Sequence, residues 1–148
     1  MKIAPNFTLQ EFIDPATYGQ FGESSIWFLD QRVINIAQFI RERFKESVVI
    51  NDWNTGGKYK ESGYRRPETT TGGAMSQHKF GRAIDVKLIG RANNGANDLR
   101  NDITTNFDIY RKFGLTAIEA AEFAPTWCHI DTRWTGLETL LIVKPKQK

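Results

Sequence analysis

Apolar residues recur at three- and four-residue intervals between about Ile26 and Glu46. Val33, Ile36, Ala37, Ile40 and Phe44 make one stripe, and Arg32, Arg41, Glu42 and Lys45 cover the other faces. That period predicts an amphipathic helix packed on a sheet. Asp30 caps it if it starts late, Ser24 or Ser25 if it starts early. A second stripe of Leu99, Ile103, Phe107 and Tyr110 predicts a helix over 98–113, capped by Asn97 or Asn94 and stopped at Gly114. Five runs are strand-like: Ser47–Trp53, 83–89, Leu115 to about Phe123, Trp127–Thr132 and Leu137–Val143, with Pro125 separating the third from the fourth. Residues 5–25 are rich in turn signals, and Phe7, Leu9 and Phe12 are expected to tuck inward. The stretch from Asn54 to about Met75 has no period and exceeds most connections in length, which suggests a binding loop or disorder. Helices packed on a small, mostly antiparallel sheet define an α+β fold.

A chain of 148 residues with 40% hydrophobic and 25% charged positions is expected to form one soluble domain, residues 1–148, with a sizeable core. The net charge of +3 is mild, and Lys144, Lys146 and Lys148 read as a solvated basic tail. No Lys/Arg stripe interleaved with aromatics suggests a nucleic-acid partner. The single cysteine, Cys128, excludes an internal disulfide. It adjoins His129 on a strand-like run, so its side chain should face the opposite side of the sheet, as a small core residue. No run is long enough to span a membrane, and Met1–Asn6 lacks the apolar centre of a signal peptide.

The chemistry concentrates in two short runs, Ser76–Val86 and Trp127–Asp131, which hold the only two histidines, His78 and His129. Asp85 follows His78 by seven residues across a Gly81-Arg82-Ala83 bend. A bend opening into a strand lets a loop imidazole and a strand carboxylate point at one spot, and His129 can reach it from a neighbouring strand. Two imidazoles and one carboxylate leave a tetrahedral zinc with one open position, the arrangement of catalytic sites. Against this, a histidine beside an apolar run is most often a hydrogen-bonded core or surface residue, and a spacing of seven is no general metal motif.

The pattern Ser76-x-His78-x-x-Gly81-Arg82-Ala83-x-Asp85, followed by Trp127-x-His129-x-Asp131, resembles the zinc peptidases that cut D-alanyl-D-alanine and L-alanyl-D-glutamate bonds of bacterial peptidoglycan. The hedgehog signalling domain shares a similar fold and a related site. Ser62-Gly63-Tyr64-Arg65-Arg66-Pro67 resembles the turn that precedes the first histidine in that family. Asn6–Phe12 resembles, more weakly, the opening of phage-associated members. The matches run over residues 6 to 134. The resemblance implies a hedgehog-like fold, Zn²⁺ held by His78, Asp85 and His129, and a peptidoglycan stem peptide as substrate, cut by a carboxypeptidase or endopeptidase such as a phage endolysin. It also implies that Arg65 polarises the scissile carbonyl or holds the substrate.

One position departs from the family pattern. The general base there is commonly an acid three residues before the last histidine, and here that residue is Thr126. Glu122 and Glu119 are the substitutes. Being three apart, they face opposite ways on a regular strand, so at most one reaches the metal. Glu122 is preferred because its distance from His129 resembles the hedgehog-type offset; Glu119, among small and apolar neighbours, is the alternative. Ser76 is expected to hold its loop rather than bond a substrate carboxylate, Arg82 to pair with an acid, Asp131 to orient an imidazole, and Trp127 to wall the cleft or join the core. Thr126 also favours a second reading, a catalytically inactive domain serving as a structural or binding module of a phage virion. A third makes both histidines structural. The expected location is the host cytoplasm before release, for instance through a holin pore, or the virion itself.

Overall fold

The computed structural model describes residues 1–145, so of the basic tail Lys146 and Lys148 lie outside the described residues. The chain opens with a small hairpin of β1 (Lys2–Ala4) and β2 (Phe7–Thr8). Helix α1 (Pro15–Phe21) follows, with proline in its first turn and Asp14 accepting from the backbone N–H groups of Ala16 and Thr17 at 3.1 and 3.0 Å. Phe7, Leu9 and Phe12 are buried, as their pattern predicts.

The first long helix, α2 (Gln31–Phe44), starts five residues later than the apolar period suggests. Residues Gly22–Phe28 form a tighter 3₁₀ segment, and Asp30 is the cap, accepting from the Arg32 N–H at 2.9 Å. Asp30 is pinned there by two further bonds: its N–H to Gly81 O at 2.9 Å, and its carboxylate from Thr132 Oγ1 at 3.0 Å.

The central sheet contains β3 (Val48–Val49), β4 (Ala83–Leu88), β5 (Ala117–Glu119), β6 (Cys128–Asp131) and β7 (Leu141–Val143), in the spatial order β3-β4-β6-β5-β7. All pairings are antiparallel except β5 with β7. The strands are shorter than the β-prone runs because the chain leaves the sheet to satisfy other groups: Asn51 N–H bonds Glu11 O rather than continuing β3. Between β4 and β5 the expected single helix is two, α3 (Ala96–Thr105) and α4 (Phe107–Arg111). Asn106 breaks them by leaving helical geometry and returning its side-chain amide to Asp102. Neither Asn97 nor Asn94 caps α3; Gly95, at φ +65°, takes that position.

Two faces result. Ile84, Val86 and Leu88 of β4 point one way with Cys128 and Ile130 of β6, into a core completed by Ile36, Ile40, Leu99 and Ile103 of the helices. The opposite face carries Ala83, Asp85 and Lys87, then His129 and Asp131, and it is buried too, with Ser62 bonded to Asp85 and Lys87. The described architecture is α+β, and no described helix is long and apolar enough to cross a membrane.

Candidate metal centre

Strand register brings the site together. Asp85 pairs with His129 across β4 and β6, so period-two alternation places both side chains on the covered face. On the other side of β6, Ala117 pairs with Asp131, and continuing that register sets Glu119 beside His129. His78 arrives from a 3₁₀ turn, Gln77–Phe80, which Gly81 closes at φ +70°. A Cβ at Gly81 would lie 1.7 Å from Phe28 O, so only glycine fits this turn against the start of α2.

The Ser62–Arg65 stretch supplies the remaining wall. Ser62 O accepts from Asp85 N–H at 2.8 Å, and Arg65 N–H donates to His78 O at 3.1 Å. Gly63 packs so closely on Phe12 that an added Cβ would meet its carbonyl oxygen at 2.3 Å. The stretch is therefore an ordered strap over the sheet.

Three ligand atoms converge. His78 Nε2 is 3.2 Å from Asp85 Oδ1 and 3.2 Å from His129 Nδ1, and His129 Nδ1 is 3.1 Å from Asp85 Oδ1. All three residues are buried. The other nitrogen of each ring is committed outward: His78 Nδ1 to Gly63 O at 2.8 Å, His129 Nε2 to Asp131 Oδ2 at 2.8 Å. A carbonyl and a carboxylate only accept, so those outer nitrogens carry the protons. With both rings neutral, as metal binding requires, their lone pairs aim at each other and at a carboxylate oxygen. Three ligand atoms at this separation can hold a metal ion between them.

Without an ion the same acidic contacts draw a proton onto the cluster, and a metal would compete with it. Burial works to raise the Asp85 carboxyl, yet the two imidazoles hold it well below the usual carboxylate range. Burial disfavours a charged His129, but Asp131 and Asp85, with Glu119 nearby, outweigh it and push its pKa up to about 9. Asp131, itself fixed by Arg133 at 2.5 and 2.8 Å, thus orients His129 as its spacing predicts.

The cleft over these groups holds about 390 Å³ and is lined by Arg65, Ser76, Glu119, Phe123, Trp127 and Arg133, among others. Arg65 donates to Asp85 Oδ2 at 3.2 Å and to Glu61 O at 2.6 Å. Glu119 Oε1 is 3.3 Å from His129 Nδ1. Glu122, the preferred base, lies exposed on the turn that follows the strand end at Glu119, outside the cleft lining. Arg82 also differs from expectation. Among the described residues it pairs with no acid, donating to Gln77 Oε1 at 2.6 Å and lying over the Phe80 ring. Cys128 is buried on the core face, its thiol pushed up to about 12 by burial.

Three residues with no assigned part in the sequence reading shape the site. Arg133 was visible as the third member of the same-face series His129, Asp131, Arg133. Lys87, two past Asp85, is buried behind the metal group, and burial pushes its ammonium down to about 8. Arg100 of α3 grips both ends of the 120–127 turn, donating to Glu119 O at 3.2 Å and Trp127 O at 2.7 Å; nothing in the helical period signals that role.

No family model, no curated protein and no solved structure matches the chain. The site itself therefore carries the functional argument.

Proposed function

We propose that the chain is a zinc-dependent peptidase acting on the peptide stems of bacterial peptidoglycan, with a hedgehog-like fold. The observation that carries this reading is the triangle of two imidazole nitrogens and one carboxylate oxygen, with a fourth, acidic side chain at its edge. Ligand atoms around a tetrahedral zinc, bonded at about 2.0–2.1 Å, stand roughly 3.3–3.4 Å apart. The 3.1–3.2 Å edges here fit that ion, and a calcium site would need six or more oxygens. His78, Asp85 and His129 would hold the zinc, which when bound polarises a carbonyl and lowers the pKa of water to about 7.

The chain's own residues supply the rest. Glu119 takes the proton of the attacking water and delivers it to the departing amine, the two-way transfer that amide hydrolysis requires. Arg65, anchored by Glu61 and Asp85, donates from the cleft wall to the substrate carbonyl and favours the negative charge that grows on it. Trp127 and Phe123 flank the peptide and limit water around it.

Zinc-loaded protein incubated with purified wall fragments should release a new amino terminus, and Glu119→Gln should slow the release about 10²–10⁴-fold. Full zinc occupancy without hydrolysis of any muropeptide would instead make the chain a binding module, such as a virion component.

A further inference from the structure

A second cavity, of about 360 Å³, opens between the start of α2, the end of α4 and the loop after β6. Arg32, Arg82, Arg111 and Arg133 line it together with Trp134 and Thr135, and no acid contributes to its wall. Guanidinium groups gathered around one opening repel one another unless anions offset them.

The chain's own acids offset only half of that charge. Asp30 pairs with Arg32 at 2.6 Å and Asp131 with Arg133 at 2.5 Å. Arg82 spends its Nε on the neutral Gln77 Oε1, and the guanidinium of Arg111, exposed at the end of α4, bonds to no described residue. Among the described residues no carboxylate pairs with either. Even the paired arginines hold a nitrogen back, since Asp30 takes only Nε and Nη2 of Arg32, and Asp131 only Nε and Nη2 of Arg133. Two positive charges and several N–H donors are left for a ligand.

We infer that this cavity is a binding site for a phosphate dianion, free or carried as the monoester of a sugar. Arg82 and Arg111 supply the two uncompensated charges, and Nη1 of Arg32 and of Arg133 supply further donors. Guanidinium forks match the spacing of phosphate oxygens, and a dianion balances two charges where a carboxylate balances one. Trp134, 89% exposed on the same rim, offers a flat indole face to a sugar ring attached to the phosphate. The cavity shares Arg133 with the metal cleft, but the inference stands or falls independently of the peptidase reading.

The full chain is titrated by calorimetry, at fixed ionic strength, with inorganic phosphate, glucose 1-phosphate and acetate. Both phosphates should bind, and acetate about tenfold more weakly. Arg111→Gln should weaken both phosphates roughly tenfold, as loss of a charge-assisted bond provides, and Arg111→Glu should weaken them further. Arg111 is exposed and its guanidinium unbonded, so both variants should keep the wild-type circular dichroism spectrum. Arg65→Gln, on the wall of the metal cleft, should leave phosphate binding as it is. Tighter binding of glucose 1-phosphate than of phosphate, lost in Trp134→Ala, upholds the site with a sugar phosphate as its ligand. Equal binding that survives Trp134→Ala upholds it with free phosphate. No binding of either phosphate, acetate binding as tightly, or a loss in Arg65→Gln with none in the Arg111 variants overturns the site.

Discussion

The two faces of the central sheet are built from the same strands and are both buried, yet they are held by different physics. On the helix side, Ile84, Val86, Cys128 and Ile130 are satisfied by contact alone, and any well-packed apolar set would serve. On the strap side, Asp85, Lys87, His129 and Asp131 are equally enclosed but each needs a specific partner at hydrogen-bond distance. Burial of polar groups is costly unless they are paired, so the strap-side face has its order from charge and lone-pair geometry. The lesson is that alternation along β4 separates functional from structural positions even though it does not separate exposed from buried ones.

Substitutions that break one face and spare the other sharpen this contrast. His129→Ala or His78→Ala removes a ligand and should cut hydrolysis by roughly ten-thousandfold, equivalent to about 5 kcal/mol of barrier, while the circular dichroism spectrum persists. Glu119→Gln should cost about 10²–10⁴-fold in kcat, and Glu122→Gln on the exposed turn should leave kcat as it is; the reverse pattern would move the base to Glu122. Ile130→Ala, on the core side of the same strand as His129, should lower stability by about 2–5 kcal/mol in denaturant titration and leave the folded fraction with its metal.

Smaller effects follow farther out. Asp131→Asn keeps a partner for His129 Nε2 but not its charge, and should weaken metal affinity about 10–100-fold by competition titration. Away from the cleft, Arg43 bonds Asp102 at 2.6 and 2.9 Å, and Tyr110 donates to the same carboxylate. The Arg43 bond, opposed by partial burial, holds the Asp102 carboxyl below its ordinary 3.8. A carboxyl depressed on folding stabilises the protein above its unfolded pKa and loses that contribution as pH falls through the folded value. Asp102→Asn should therefore cost about 1–2 kcal/mol at neutral pH, with the gap from wild type closing below about pH 4.

Much of this arrangement is legible in the residues. A shared cation at His78, Asp85 and His129 is suggested by the likeness of their two runs to a zinc-site pattern rather than by spacing alone, and parity along a strand separates Cys128 from His129. The orienting part of Asp131 follows from the same parity. Three things were not legible. Which glutamate faces the site depends on where β5 ends and how β5 registers against β6, and apolar composition runs past the strand end through Phe123 without marking it. The strap from Ser62 to Arg65 has no periodicity because its order comes from bonds to Phe12, His78 and Asp85, partners far away in sequence. Likewise, the break at Asn106 comes from a side chain returning to Asp102, which an intact apolar stripe conceals.

Metal stoichiometry tests the central claim most directly. Protein loaded with zinc and dialysed should retain one ion per chain by elemental analysis, and His78→Ala, Asp85→Ala and His129→Ala should each retain none. Retention of the ion by all three variants, or no stoichiometric ion in the wild type, would contradict the account.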